Sequence, residues 1–169
     1  MTVHNFKESL EKSHEQEGAP WWKTVYTEAF PAFETMVSVR NDGWAQRGGI
    51  DRLIILKSGK TITVDEKVRY KEYNDILLER WSNEERKTPG WIQKDLACDY
   101  IAYAFVNSQR CYLFPFLQLR KAWLKHGREW IQKYQEIRAD NGNYTTVSVG
   151  IPTKVLQDAI TESMIVQWK

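Results

Sequence analysis

Apolar and polar positions alternate most regularly over residues 48–69, GGIDRLIILKSGKTITVDEKVR, and predict a β-hairpin. An apolar strand over 50–57 is followed by a turn at Ser58-Gly59-Lys60 and a second strand over 60–68. Thr61, Thr63, Asp65 and Lys67 then share one side of the second strand, and Ile62 and Val64 take the other. Upstream, Ala19-Pro20 opens a helix in WWKTVYTEAF that stops at Pro31, and the β-branched residues of TMVSV predict a strand within 33–40. Asn41-Asp42-Gly43 is a turn signal, and 44–48 form a loop into the hairpin. Downstream, YNDILLERWS predicts an extra strand or short helix. IQKDLACDYIAYAF has apolar residues at helical spacing and predicts a helix over 92–106, and CYLFPF predicts a buried strand over 110–115.

The amphipathic pattern over 117–137 predicts a long helix closed by Asn141-Gly142-Asn143. Its inward face carries Trp123, Trp130, Tyr134 and Ile137; its outward face carries Lys121, Lys125, Arg128 and Gln132. Residues 145–149 predict a strand, and Pro152 opens a last helix. The first eighteen residues are polar, either helical or loose.

The hairpin also carries chemistry. Asp65 and Lys67 stand side by side at a strand end, and Asp51 can approach them from the neighbouring strand. Hard oxygen ligands for Mg²⁺ and a cation beside the nucleophile are what water-driven phosphodiester cleavage requires. The plainer alternative is that Asp65, Glu66 and Lys67 solvate the end of an exposed strand.

Asp51, a spacer and Asp65-Glu66-Lys67 form the pattern Asp–spacer–(Asp/Glu)–x–Lys across two strands. This pattern resembles the PD-(D/E)XK nuclease superfamily, over residues 28–116. The element order α (20–30), β (35–40), β (50–57), β (60–68), α (92–106), β (110–115) matches the αβββαβ core of that family. The resemblance implies an α/β fold with a restriction-endonuclease-like core, a mixed central sheet and an additional C-terminal helix and strand. It implies a Mg²⁺- or Mn²⁺-dependent endonuclease or exonuclease acting on DNA, with phage nucleases and Holliday-junction resolvases among its relatives and homodimers common. It makes Asp51 and Asp65 metal ligands, the backbone carbonyl of Glu66 a further oxygen, and Lys67 the group that orients the attacking water and steadies developing charge. Glu28, on the first core helix, is the upstream acid expected to reach the metal shell, with Glu34 its competitor.

Two features depart from the family pattern. The middle position of the triplet is usually apolar, so Glu66 must reach an edge, pair with a cation such as Arg52, or face water. The stretch 70–90 is longer than a minimal core requires, and Asp75 and Glu79 within it are either further ligands or surface charges.

Charge is uneven along the chain. Residues 1–34 hold three Lys and six Asp or Glu; 40–94 hold twelve basic and nine acidic residues; 117–138 hold six basic and two acidic residues. Positive charge thus collects around the hairpin and on the long helix, a distribution that favours a nucleic-acid partner. Trp44 and Gln46 in the loop before Asp51 are placed to touch it, and Arg47, Arg69 and Lys71 to hold phosphates. The row Lys121, Lys125 and Arg128 either tracks a DNA backbone or is a solvated helix face.

At 169 residues, 42% hydrophobic and with eight Trp, the chain is expected to fold as one domain, with its core over about 20–116 and an extension over 117–169. No apolar run approaches the length of a membrane span and the N-terminus has no signal-peptide core, so a cytoplasmic location without a membrane partner is expected. Cys98 and Cys111 lie outside any CxxC pattern and apart from the three His, and are expected to act as small apolar residues on a helix and a strand. The rivals to a nuclease are a noncatalytic nucleic-acid-binding or protein-interaction module on the same scaffold, and an unrelated α/β protein with a charged hairpin.

Overall fold

The computed structural model describes residues 16, 18–161 and 164–168. In chain order its elements begin with α1 (Trp21–Ala29), β1 (Phe33–Ser38), α2 (Gly43–Arg47), β2 (Arg52–Leu56), β3 (Thr61–Arg69), β4 (Asp75–Asn83) and β5 (Thr88–Pro89). They continue with β6 (Tyr100–Phe105), β7 (Arg110–Pro115), α3 (Phe116–Lys133), β8 (Glu136–Asp140), β9 (Thr145–Pro152), α4 (Thr153–Ala159) and β10 (Met164–Gln167). The protein is mixed α/β and divides into two compact units. No helix among the described residues is long and apolar enough to cross a membrane.

The first unit comprises Gly18–Glu72, Asp95–Gln118 and Glu162–Lys169. Its six-stranded sheet runs β1-β2-β3-β6-β7-β10 and is mixed: β3 and β6 are parallel, and every other neighbouring pair is antiparallel. Helix α1 starts at Pro20 and ends as Phe30 turns extended before Pro31. It buries Trp22, Val25 and Tyr26 in a core shared with Ile54 of β2, Ile62 and Val64 of β3, Ala102 and Ala104 of β6, and Cys111 and Leu113 of β7. The expected hairpin is present as β2 and β3, with Ile54 opposite Ile62.

Residues 100–105 are strand, not the helix expected over 92–106; 91–94 are turn and 95–99 have no regular structure. Strand β6 is flanked by β3 and β7, and Ile101 through Phe105 are all buried. A strand covered on both faces is apolar at every position, and a short continuous apolar run does not distinguish strand from helix. The second helix of the expected αβββαβ order is therefore missing. The chain between the parallel pair β3 and β6 carries strands β4 and β5 instead.

The second unit includes Tyr73–Lys94 and Leu119–Thr161. Its antiparallel sheet runs β5-β4-β9-β8. YNDILLERWS takes the strand alternative as β4, whose Ile76 and Leu78 pair with Ile151 and Val149 of β9, all fully buried. Helix α3 ends at Lys133, short of the expected residue 137, so Ile137 lies on β8. Asn141-Gly142-Asn143 is the β8–β9 hairpin turn, with Gly142 at φ +81°, and not a helix stop. Alternation in EIRAD was too short to compete with the helical pattern before it. The expectation for the first eighteen residues lies outside the described residues, Gln16 and Gly18 apart.

Candidate active site

Asp51 lies just before β2, and its N–H donates to the Val64 carbonyl at 2.9 Å, which seats it beside Asp65 on β3. Alternation along β3 turns Asp65 and Lys67 to one face and Glu66 to the other, the side of Ile62 and Val64. Lys67 Nζ donates to both Asp65 carboxylate oxygens, at 2.6 and 2.7 Å. The Asp65 side chain is 5% exposed and that of Lys67 31%, so the ammonium is the part of the pair that meets solvent. Burial, opposed by the Lys67 charge and reinforced by Asp51, pushes the Asp65 carboxyl up to about 7.

Glu66 holds Asp51 from both sides. Its backbone N–H donates to Asp51 Oδ2 at 2.7 Å. Its carboxylate accepts from Arg40 Nη2 at 2.9 Å, and Arg40 Nη1 lies 3.2 Å from Asp51 Oδ1. The buried Glu66 carboxylate also accepts from Arg52 Nε at 2.6 Å, Arg52 Nη2 at 3.0 Å and the Tyr26 hydroxyl at 2.7 Å. Pairing with Arg52, one of the three options open to Glu66, is thus the one taken. Burial, and then the Glu66 charge, push the Tyr26 hydroxyl well above its ordinary value, so it stays a donor. Arg40 and Tyr26 carried no signal in the sequence by themselves. The signal was Glu66, a carboxylate at a core-facing strand position, which demands several donors.

The loop before Asp51 is closed at its base by the Val39 N–H, which donates to the Asp51 carbonyl at 2.9 Å. Within it, Asp42 caps α2, accepting from the N–H groups of Trp44 and Ala45 at 2.8 and 3.0 Å. Trp44, Gln46 and Arg47 are all exposed on α2, with the Arg47 guanidinium 5.5 Å from the Trp44 ring centroid. Arg69 sits at the end of β3 with its guanidinium 5.8 Å from the Phe105 ring centroid, and Lys71 is exposed just beyond.

Glu28 is not brought to this cluster. It lies two residues beyond Tyr26, on the exposed side of α1, where it lines a shallow depression with Pro20, Lys23, Thr24 and Thr27. Glu34 is exposed on β1. Asp75 and Glu79 lie on β4 of the second unit, where Glu79 accepts from the Trp91 N–H at 3.2 Å. Lys121, Lys125 and Arg128 are exposed on α3, a helix that also exposes Leu117 and Leu124.

Cys98 lies in the loop before β6 and not on a helix. Burial, followed by the Asp65 charge, pushes its thiol up to about 12, which leaves it without nucleophilic character. Cys111 is buried on β7, where burial raises it well above its ordinary value. Among the described residues, no three or more His, Cys, Asp or Glu side chains come together as a metal-binding group. No protein-family model, curated protein or solved structure matches the chain.

Proposed function

We propose that this chain is a metal-dependent nuclease of PD-(D/E)XK type that hydrolyses phosphodiester bonds in DNA. The observation that carries the proposal is the buried Asp65, set beside Asp51 with the Lys67 ammonium on the same face. The order α1-β1-β2-β3, followed by a strand parallel to β3, supports a restriction-endonuclease-like core, with β4 and β5 taking the place of the family's second helix in chain order.

The donor set fits a small hard cation. Asp51 and Asp65 offer carboxylate oxygens and Glu66 a backbone carbonyl, and Mg²⁺ uses one or two carboxylates while keeping several waters. Two neighbouring carboxylates, one driven toward the neutral form by burial, form a donor pair that a divalent cation stabilises as anions. When bound, such a cation generates a nucleophile from water at neutral pH and offsets charge on the phosphoryl oxygens. Arg40 and the Glu66 N–H fix the Asp51 carboxylate, so its orientation costs nothing further during reaction. Lys67, the accessible cation of the group, is placed to stabilise charge developing on a phosphate brought to Asp65.

One observation favours the noncatalytic alternative: Asp51 and Asp65 already hold protein donors on both carboxylate oxygens. Purified protein incubated with branched, duplex and single-stranded DNA in Mg²⁺ or EDTA separates the two. A nuclease cleaves in Mg²⁺ alone, and Asp51→Asn, Asp65→Asn or Lys67→Ala each costs at least ~10²-fold in rate with the fold retained. Undiminished cleavage by Asp65→Asn would remove the site assignment, and binding without cleavage would leave the module.

A further inference from the structure

We propose that Trp44 and Arg47 form a stacking platform for an unpaired nucleobase, so that the substrate is a strand with at least one base out of the duplex stack. The proposal rests on the nuclease reading for its substrate class and adds the form of the strand.

Of the eight Trp, all among the described residues, Trp44 alone is exposed, at 81%. The loop that presents it is built to hold still. Asp42 caps α2, the Ile50 N–H returns to the Ala45 carbonyl at 2.9 Å, and the Ala97 N–H donates to the Gly48 carbonyl at 2.8 Å. At Gly49, φ is +66°, a backbone conformation that favours glycine, and the Leu96 side chain packs against it. The loop base is bonded to Asp51 itself. The backbone that carries the exposed indole is therefore anchored a short stretch of chain from the candidate catalytic carboxylates.

The ligand chemistry follows from the two side chains. An exposed indole face takes a planar π system, and the Arg47 guanidinium beside it takes the attached phosphate. The Asp42 carboxylate caps α2 through the Trp44 and Ala45 N–H groups and the Asp51 carboxylate is paired with Arg40, which leaves Arg47 as the cation beside the indole. A nucleobase with its phosphate supplies both groups. In a closed duplex the base faces are stacked on one another, and exposing one costs a few kcal/mol, which favours gapped, branched or single-stranded DNA.

The test uses the full chain in EDTA with three probes: a single strand carrying 2-aminopurine, a blunt duplex of two complementary strands carrying the same base at an internal pair, and 2-aminopurine deoxyribonucleoside monophosphate. The expected result is quenching of 2-aminopurine in the single strand, with affinity reduced roughly 5- to 150-fold by Trp44→Ala, partly kept by Trp44→Phe, and scarcely changed for the duplex. Equal affinity of Trp44→Ala and the parent for the single strand overturns the platform, as does an equal loss on both DNA forms. Binding of the monophosphate as tight as the strand overturns a polynucleotide ligand. A parent dimer that Trp44→Ala converts to monomer also overturns it, because a second copy would then cover the indole. Parallel assays in Mg²⁺ keep the two proposals apart: cleavage with an inert Trp44→Ala change fails the platform alone, whereas Trp44-dependent stacking without cleavage fails the nuclease alone.

Discussion

Replacing Glu66 with Leu tests whether the charged network beneath the site acts as one unit. The substitution removes a fully buried carboxylate that accepts from Tyr26 at 2.7 Å, from Arg52 at 2.6 and 3.0 Å, and from Arg40 at 2.9 Å. The Arg52 side chain, 6% exposed, loses the carboxylate that accepts from its Nε and Nη2. Removing one partner of a buried pair costs about 3–5 kcal/mol. The Tyr26 hydroxyl, buried without an acceptor, adds about 1–3 kcal/mol. Burial of the leucine side chain offsets about 1.5–3 kcal/mol, which leaves a net loss centred near 4 kcal/mol. For a chain of this length that lowers Tm by about 8–16 °C. Thermal and urea unfolding measure it, and the triple variant Glu66→Leu/Arg52→Met/Tyr26→Phe should recover most of the loss, because the two buried partners become apolar and the remaining partner, Arg40, reaches solvent. A single-variant loss under about 1 kcal/mol, or a triple variant no more stable than the single, would refute a tightly held network.

The Asp65 carboxyl, raised to about 7 in the folded chain, favours the protonated fold. Its stabilising contribution is therefore complete below the ordinary carboxyl range near pH 4 and lost as pH rises through about 7. Asp65→Asn does not titrate, so its Tm relative to the parent should climb between pH 4 and pH 8; a constant difference would show that Asp65 ionises normally. Mg²⁺ or Mn²⁺ at one hundred times Kd should add about 2.7 kcal/mol of stability at pH 7.5, read as a higher Tm, and Asp65→Asn should lose that response. Glu28→Gln and Glu34→Gln should leave cleavage and metal response unchanged, since both carboxylates are exposed and Glu28 lies off the Tyr26 side of α1; a tenfold rate loss in either would bring α1 or β1 into the mechanism. Replacing Lys121, Lys125 and Arg128 with Ala should lower the salt slope of log K for duplex DNA by roughly two to three units if this row contacts phosphates, and an unaltered slope would make it a solvated face.

What the sequence disclosed follows from where one face of an element was clean. The hairpin was legible because Ile54, Ile62 and Val64 alternate with residues that face the other way, and its glycine turn is compact. Helix α1 was legible because proline bounds it at both ends. Strand β6 was not, because burial on both faces erases the period that separates strand from helix, and the alanines and tyrosines of YIAYAF suit either. The parallel pairing of β3 with β6 was equally hidden, since it joins segments separated by two strands of another sheet. At the site, spacing and alternation brought Asp51, Asp65 and Lys67 together, and for the core-facing Glu66 an ion pair with Arg52 was one of three options, the one the structure takes. Arg40 escaped because it lies two residues beyond β1, in the turn, where no alternation pattern says which way a side chain points.

That arrangement also gives Glu66, the middle residue of the Asp65-Glu66-Lys67 triplet, a physical role. An apolar residue there would pack against α1 and do nothing for Asp51 beyond offering its backbone N–H. Glu66 keeps that N–H contact and, through its carboxylate, anchors the guanidinium that holds the second oxygen of Asp51. The orientation of Asp51 on one side of the sheet is thus tied to a charged pair on the other, and through Tyr26 to helix α1. Arg40 is the link, and it is the member of the network that reaches solvent, at 21% exposure. A phosphate arriving at Asp51 would meet a guanidinium already committed to two carboxylates. Arg40 is therefore better suited to hold Asp51 in place than to bind substrate.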